Sequence, residues 1–151
     1  ISFVLDADTT GLVILTNDAE LTNLLTHPRY KVAKTYVAKV AGQIDAKAVE
    51  SLRKGIWLAE GKTAPAAVKV LKSGRNESLL EITIQQGLNR QVRRMLGRVG
   101  LAVQSLKRTR IGPLKLENLG IGRHRLLSKS EVAALKRAVT GQPGPGDAPR
   151  P

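Results

Sequence analysis

Apolar positions along this chain switch between a spacing of two and a spacing near 3.6, and the switches divide it into elements. Ile1–Leu5 and Leu12–Thr16 are short apolar runs that bracket Asp6-Ala7-Asp8-Thr9-Thr10-Gly11. Each run predicts a short buried strand, with the polar stretch between them as a turn. Leu21, Leu24 and Leu25 fall on one face of a helix through about Thr26, with Asp18 as N-cap and His27-Pro28 as its end. Thr35–Val40 predicts a strand after a basic loop. Asp45 caps a helix carrying Ala48, Val49 and Leu52, and Gly55 stands where a left-handed C-terminal residue is expected. Ile56–Leu58, Ala66–Leu71 and Leu79–Ile84 predict further strands around Gly-containing turns.

The clearest helix runs from about Arg90 to Val99. At about 100° per residue, Val92, Met95, Leu96 and Val99 form one stripe, and Arg90, Arg93, Arg94 and Arg98 occupy the remaining surface. Gly100 ends it. Two strands follow, Ala102–Leu106 and Leu114–Leu119. Ser128-x-x-Glu131 is a capping box for a last helix with Val132, Leu135 and Val139. Gly141–Pro151 is rich in Gly and Pro and is expected to be disordered. No internal repeat is visible. Many strands with helices interspersed in irregular order predict an α+β fold in one domain, residues 1–139, with a tail at 140–151.

Composition narrows the class. A chain of 151 residues with 42% apolar positions can bury a core. No apolar run approaches the roughly 20 residues that cross a bilayer, and no signal peptide is visible. The chain begins with Ile1, inside an expected strand, which points to an N-terminal truncation. It has no Cys and only His27 and His124, so disulfides, thiolate nucleophiles and thiolate metal sites are excluded, and little is left for a His-based one. Absence of Cys fits a cytoplasmic protein. The net charge is +13. Between Gly87 and Arg125 the ten basic residues Arg90, Arg93, Arg94, Arg98, Lys107, Arg108, Arg110, Lys115, Arg123 and Arg125 face the single acid Glu117. Such a one-signed segment favours a polyanionic partner, nucleic acid ahead of an anionic membrane.

Four segments could carry chemistry. Asp6 is either a turn-forming Asp that bonds Thr9 or its own backbone, or a carboxylate presented to a groove; Asp8 is a second turn former in the same loop. Gln86-Gly87-Leu88-Asn89-Arg90-Gln91-Val92-Arg93-Arg94-Met95 is a helix N-terminus with free N–H groups and a basic face, suited to phosphates. An arginine from it near Asp6 would keep that carboxylate ionised. Tyr36, in Lys34-Thr35-Tyr36-Val37, fits a core role as readily as a catalytic one. Aromatics are 3% of the chain, so stacking platforms for single strands are poorly supported. Leu106-Lys107-Arg108 and Arg110-Ile111-Gly112-Pro113-Leu114 predict a strand, a basic loop and a second strand. Asn89, Arg90, Arg94, Arg98, Lys107, Arg108 and Arg110 are the candidate RNA contacts.

Taken in order, these segments resemble the catalytic domain of the RsuA/RluB-type ribosomal RNA pseudouridine synthases, from Leu5 to about Leu135. The resemblance rests on Leu5–Leu21, Lys34–Val37, Gly55–Pro65, Asn89–Met95, Arg110–Leu116 and Gly122–Leu127. It implies a mixed, mainly antiparallel sheet with flanking helices. It implies isomerisation of a uridine in structured ribosomal RNA, large-subunit RNA first, without metal or organic cofactor. It casts Asp6 as the catalytic aspartate, Tyr36 as the aromatic against the target base, Arg93 as the partner of the aspartate and Leu106 as the apolar wall of the uracil pocket. Three positions depart from the family pattern: Phe3 and Val4 replace Gly-Arg, and Leu88 stands where Arg or Lys is usual. The family's upstream strand segment and S4-type domain do not precede Ile1, which predicts a sheet with an open edge. Three readings follow: a pseudouridine synthase, a catalytically impaired module that only binds RNA, and a basic structural protein of a ribonucleoprotein.

Overall fold

The computed structural model describes residues 5–27 and 29–140. The elements run β1 (Thr9–Gly11), α1 (Ala19–Thr26), β2 (Lys34–Ala41), α2 (Ala46–Lys54), β3 (Trp57–Leu58), β4 (Gly61–Lys62), β5 (Ala67–Lys72), β6 (Glu77–Ile84), α3 (Gln91–Arg98), β7 (Val103–Ile111), β8 (Leu114–Lys115) and α4 (Lys129–Thr140). The main sheet has the order β1-β7-β2-β6-β5, with β8 folded back on β7. β1 is parallel to β7; the other neighbours are antiparallel. The expected α+β fold is thus the observed one. Among the described residues no helix is long and apolar enough to cross a membrane.

One face of the sheet carries the core. Ala38, Val40, Leu80, Ile82 and Ile84 alternate inward along β2 and β6 and meet Ala48, Val49 and Leu52 of α2 and Val92, Met95 and Leu96 of α3. A second cluster joins Leu21, Leu24 and Leu25 of α1 to Val32, Ile111, Leu114, and Leu135 and Val139 of α4. The helix starts follow the expected caps. Asp18 accepts from the Leu21 N–H at 3.1 Å and Asp45 from the Ala48 N–H at 2.7 Å. Ser128 and Glu131 close the capping box in both directions, at 3.1 and 3.0 Å.

Several boundaries differ from expectation. Residues 12–16 form no ladder strand; the strand is Thr9–Gly11, inside the expected turn. Gly11 allows this, because it lies at φ 109 and a Cβ there would collide with the Arg108 backbone, so only a bare backbone can pair with β7 so closely. Leu12–Thr16 keeps its alternation without a ladder: Ile14 is buried while Val13 and Leu15 are exposed. Gly55 has φ 104 and ψ 151, which is not the left-handed helical conformation; it is needed because Thr63 of the β3–β4 hairpin packs on its backbone. β7 runs on from Val103 to Ile111, so Lys107, Arg108 and Arg110 lie in a strand and not in a basic loop. Pairing with β2 along that length satisfies the backbone and tolerates long basic side chains. Leu114–Leu119 shrinks to Leu114–Lys115, and Glu117 lies at φ 50. The expectations for Ile1–Val4, for Pro28 and for the tail at 141–151 lie outside the described residues.

Candidate active site

A cleft of about 320 Å³ opens where the ends of β2, β6 and β7 meet the start of α3. Strand alternation supplies one wall. On β2, Lys34 and Tyr36 point the same way as their β6 partners Ile84 and Ile82. On β7, a bulge at Thr109 sets Arg108 opposite Tyr36 and Arg110 opposite Thr35, while Leu106 faces Ala38. Leu106 and Arg108 therefore share the face of Tyr36, and Lys107 and Arg110 lie on the other face of the sheet. Leu106 is 4% exposed and Arg108 3%.

The opposite wall is charged. Asp6 starts a turn in which the Thr9 N–H donates to the Asp6 carbonyl at 3.0 Å. This leaves the Asp6 carboxylate about one-third exposed at the cleft. Its ion-pair partner is Arg90, at 3.8 Å. Arg90 takes the left-handed conformation one residue ahead of α3, with φ 48 and ψ 34. The same guanidinium forks onto Asp8 at 2.9 and 3.0 Å. Hydrogen bonding to Arg90 holds the Asp8 carboxyl below the usual carboxylate range. Arg93 donates to the Asp8 carbonyl at 2.7 Å and the Thr9 hydroxyl at 3.3 Å, and its buried Nε lies 3.5 Å from the Asp8 carboxylate. The expected pairing of Arg93 with Asp6 is thus corrected. Arg93 fixes the loop that carries Asp6, and the cation beside Asp6 is Arg90, because the turn at residues 6–9 swings Asp8 between the two arginines.

The remaining candidates separate by location. Asn89 and Arg90 line the cleft. Arg94 clamps the β3–β4 hairpin to α3 by forking onto Glu60 at 2.7 and 2.6 Å and donating to the Asn89 carbonyl at 2.9 Å. That pairing brings Glu60 down to about 2. Arg108 is buried and donates to the Leu12 carbonyl at 2.9 Å, so it secures the N-terminal segment instead of offering a surface contact. Arg98 is exposed at the far end of α3, about 12 Å along the axis from Arg90. Lys107 and Arg110 are exposed behind the sheet. The structure therefore brings Asp6, Tyr36, Arg93, Leu106, Asn89, Arg90 and Arg108 to one cleft and does not bring Arg94, Arg98, Lys107 or Arg110 there.

Three features in or beside the cleft were not singled out from sequence. Asp8 was assigned only to the turn, yet it joins Arg90 to Arg93. Gln91 is 3% exposed and ties the loop before α3 together, accepting from the Leu88 N–H at 3.2 Å and donating to the Gln86 side chain at 3.1 Å. Lys34 enters the cleft beside Tyr36, and its two-residue spacing from Tyr36 on a strand is the signal that could have found it.

A family model described as RNA pseudouridylate synthase matches residues 4–97. The chain belongs to this family. It is 46% identical over 134 residues to the ribosomal large subunit pseudouridine synthase B of Bacillus subtilis, covering 87% of this chain and 55% of that protein. It is 44% identical over 135 residues to an uncharacterized RNA pseudouridine synthase of Aquifex aeolicus, covering 89% and 54%. A crystal structure of a pseudouridylate synthase, 34% identical, superposes with a TM-score of 0.81 over 87% of this chain and 56% of that one. The chain spans about half the length of the curated relatives it matches. The family resemblance stated from sequence, and the sheet architecture it implied, are both borne out.

Proposed function

We propose that this chain is the catalytic part of a pseudouridine synthase that isomerises a specific uridine of ribosomal RNA, large-subunit RNA first, in the cytoplasm. The observation that carries this reading is convergence. Asp6 comes from the N-terminal segment, Tyr36 from β2, Arg93 from α3 and Leu106 from β7, and all four line one cleft. Passive binding of RNA needs no such meeting.

The geometry suits the chemistry. An extruded uridine can place its sugar C1′ against Asp6 and its ring between Tyr36 and the apolar side chains of Leu106 and Ile84. The C1′–N1 bond breaks with its electron pair going to the ring. The carboxylate either attacks C1′, forming an ester bond that breaks when C5 takes its place, or takes the C2′ proton in an elimination and returns it when C5 adds to C1′. The ring turns, C5 bonds to C1′, the C5 proton is lost and N1 gains one. Taking the uridine out of its stack costs a few kcal/mol. Cations around the rim, Arg90 foremost, offset that cost through phosphate contacts that weaken as salt rises.

A second reading, an RNA-binding module with little turnover, is favoured by one observation: Asp8 takes both donors of the Arg90 fork and leaves Asp6 at 3.8 Å. The two readings part on ribosomal RNA lacking its own pseudouridines. The synthase reading expects one new carbodiimide stop in primer extension. RNA binding with no new stop would favour the module.

A further inference from the structure

We propose that Lys34 is the base-binding cation of this cleft. Its ammonium group donates to a ring carbonyl oxygen of the uracil and stabilises the negative charge that the ring carries while detached from the sugar. The proposal rests on the synthase reading above and assigns Lys34 to the same cleft.

Placement is the first argument. Lys34 and Tyr36 are two residues apart on β2 and face the cleft together, with Ile84 opposite Lys34. The arginines of α3 serve the carboxylate side; Lys34 brings positive charge to the side where the ring must lie. Its Nζ donates to the Gln86 carbonyl at 3.2 Å, which orients the head group. Residue 87 leaves room for it, since a Cβ on Gly87 would lie 3.1 Å from Nζ.

Cost is the second argument. A partly buried ammonium gives up some of its hydration, so it draws an anion in the cleft more strongly than one in open water would. Burial, helped by the nearby Arg108 charge, lowers the Lys34 amine to about 8. The charged and polar groups that share the cleft with it are Asp6 from the N-terminal segment, Arg90 just ahead of α3, Arg93 on α3, Arg108 from β7, and the Tyr36 hydroxyl on its own strand. α1 contributes Leu25 and Thr26, and residues 86–89 contribute no titratable side chain. Lys34 keeps its proton throughout: the electron pair released from C1′–N1 stays on the ring until C5 uses it, and the ammonium only offsets the charge.

The experiment has a binding arm and a turnover arm. Uridine 5′-monophosphate is titrated into the parent chain, Lys34→Met and Lys34→Arg by NMR, with thermal unfolding confirming that the variants fold. Binding to Lys34→Met is expected to be about tenfold weaker, the lower end for a hydrogen bond to a charged group. Parent binding should weaken as pH rises through about 8. Lys34→Arg should hold its affinity through that range, because a guanidinium stays charged. Equal affinity and equal pH dependence in parent and Lys34→Met would overturn the proposal, whether or not any RNA is converted. In the turnover arm Lys34→Met is expected to lose about a hundredfold in kcat while RNA affinity falls by no more than the nucleotide affinity does, and equal losses in both would reduce Lys34 to a phosphate contact. A parent chain that converts no uridine refutes the synthase reading, while the nucleotide titration still decides Lys34.

Discussion

The two walls of the cleft are built in opposite ways. The base wall, formed by Tyr36, Ile84, Leu106 and Lys34, stands on the central strands β2, β6 and β7 and is fixed by ladders on both sides of β2. The carboxylate wall, formed by Asp6, Arg90 and Arg93 with Asp8 beside it, hangs on a turn and the start of α3 and is held by the exposed Arg90–Asp8 fork and by two hydrogen bonds from Arg93. Exposed ion pairs are worth about 0–1 kcal/mol, so this wall can rearrange at little cost, whereas the strands cannot. The contrast suits a reaction in which a flat ring must be gripped in a fixed slot while phosphates and sugar arrive against adjustable charges.

The strongest way to break the contrast is at Asp6. Asp6→Asn keeps the size of the side chain and removes its charge. It should lower turnover by about a thousandfold or more while RNA affinity and thermal midpoint stay within error, because the group acts on the bond being broken. Next in size is the rigidity of the base wall. Leu80 is fully buried beneath it, and Leu80→Ala should cost about 2–5 kcal/mol in denaturant unfolding. A much smaller loss would mean that the strands are as soft as the loop.

Arg93→Ala comes third. Arg93 holds the Asp8 carbonyl and the Thr9 hydroxyl, so its removal should loosen the turn that presents Asp6. Turnover should fall more than RNA affinity. Asp8→Asn is gentler. It releases Arg90 from its bidentate partner, and parent-like activity or a modest gain is expected; a loss as large as that of Asp6→Asn would transfer the catalytic role to Asp8. The smallest effect concerns the β3–β4 hairpin. Glu60 is held at about 2 by Arg94 against an ordinary value of 4.5. A depressed carboxyl contributes stability above its unfolded value and loses it as pH falls from about 4.5 to about 2. The thermal midpoint should therefore decline across that window, and Glu60→Gln should flatten part of the decline.

The sequence was most legible where a local rule governs. Asp18, Asp45 and the Ser128–Glu131 box mark helix starts because their side chains bond N–H groups three residues on, and those contacts need no tertiary partner. Alternation likewise marked β2 and β6, which are half-buried. It failed at Leu12–Thr16 and Thr9–Gly11, where pairing depends on a glycine passing close to Arg108 of β7, a contact between segments about 97 residues apart. Charge pattern was the least informative local signal. Four arginines on one helix look alike in sequence, yet Arg90 meets Asp6 and Asp8, Arg93 braces a turn, Arg94 clamps a hairpin and Arg98 faces solvent. Only the turn at Asp6–Thr9, the left-handed Arg90 and the hairpin that carries Glu60 sort them, and none of these leaves a periodic trace.

Release of tritium from ribosomal RNA labelled at uridine C5 tests the central claim most directly, because forming the new C–C bond expels that hydrogen. The parent chain should release label in step with pseudouridine formed, and Asp6→Asn should release none above background. Release at the parent rate from Asp6→Asn would remove Asp6 from the reaction and contradict the account.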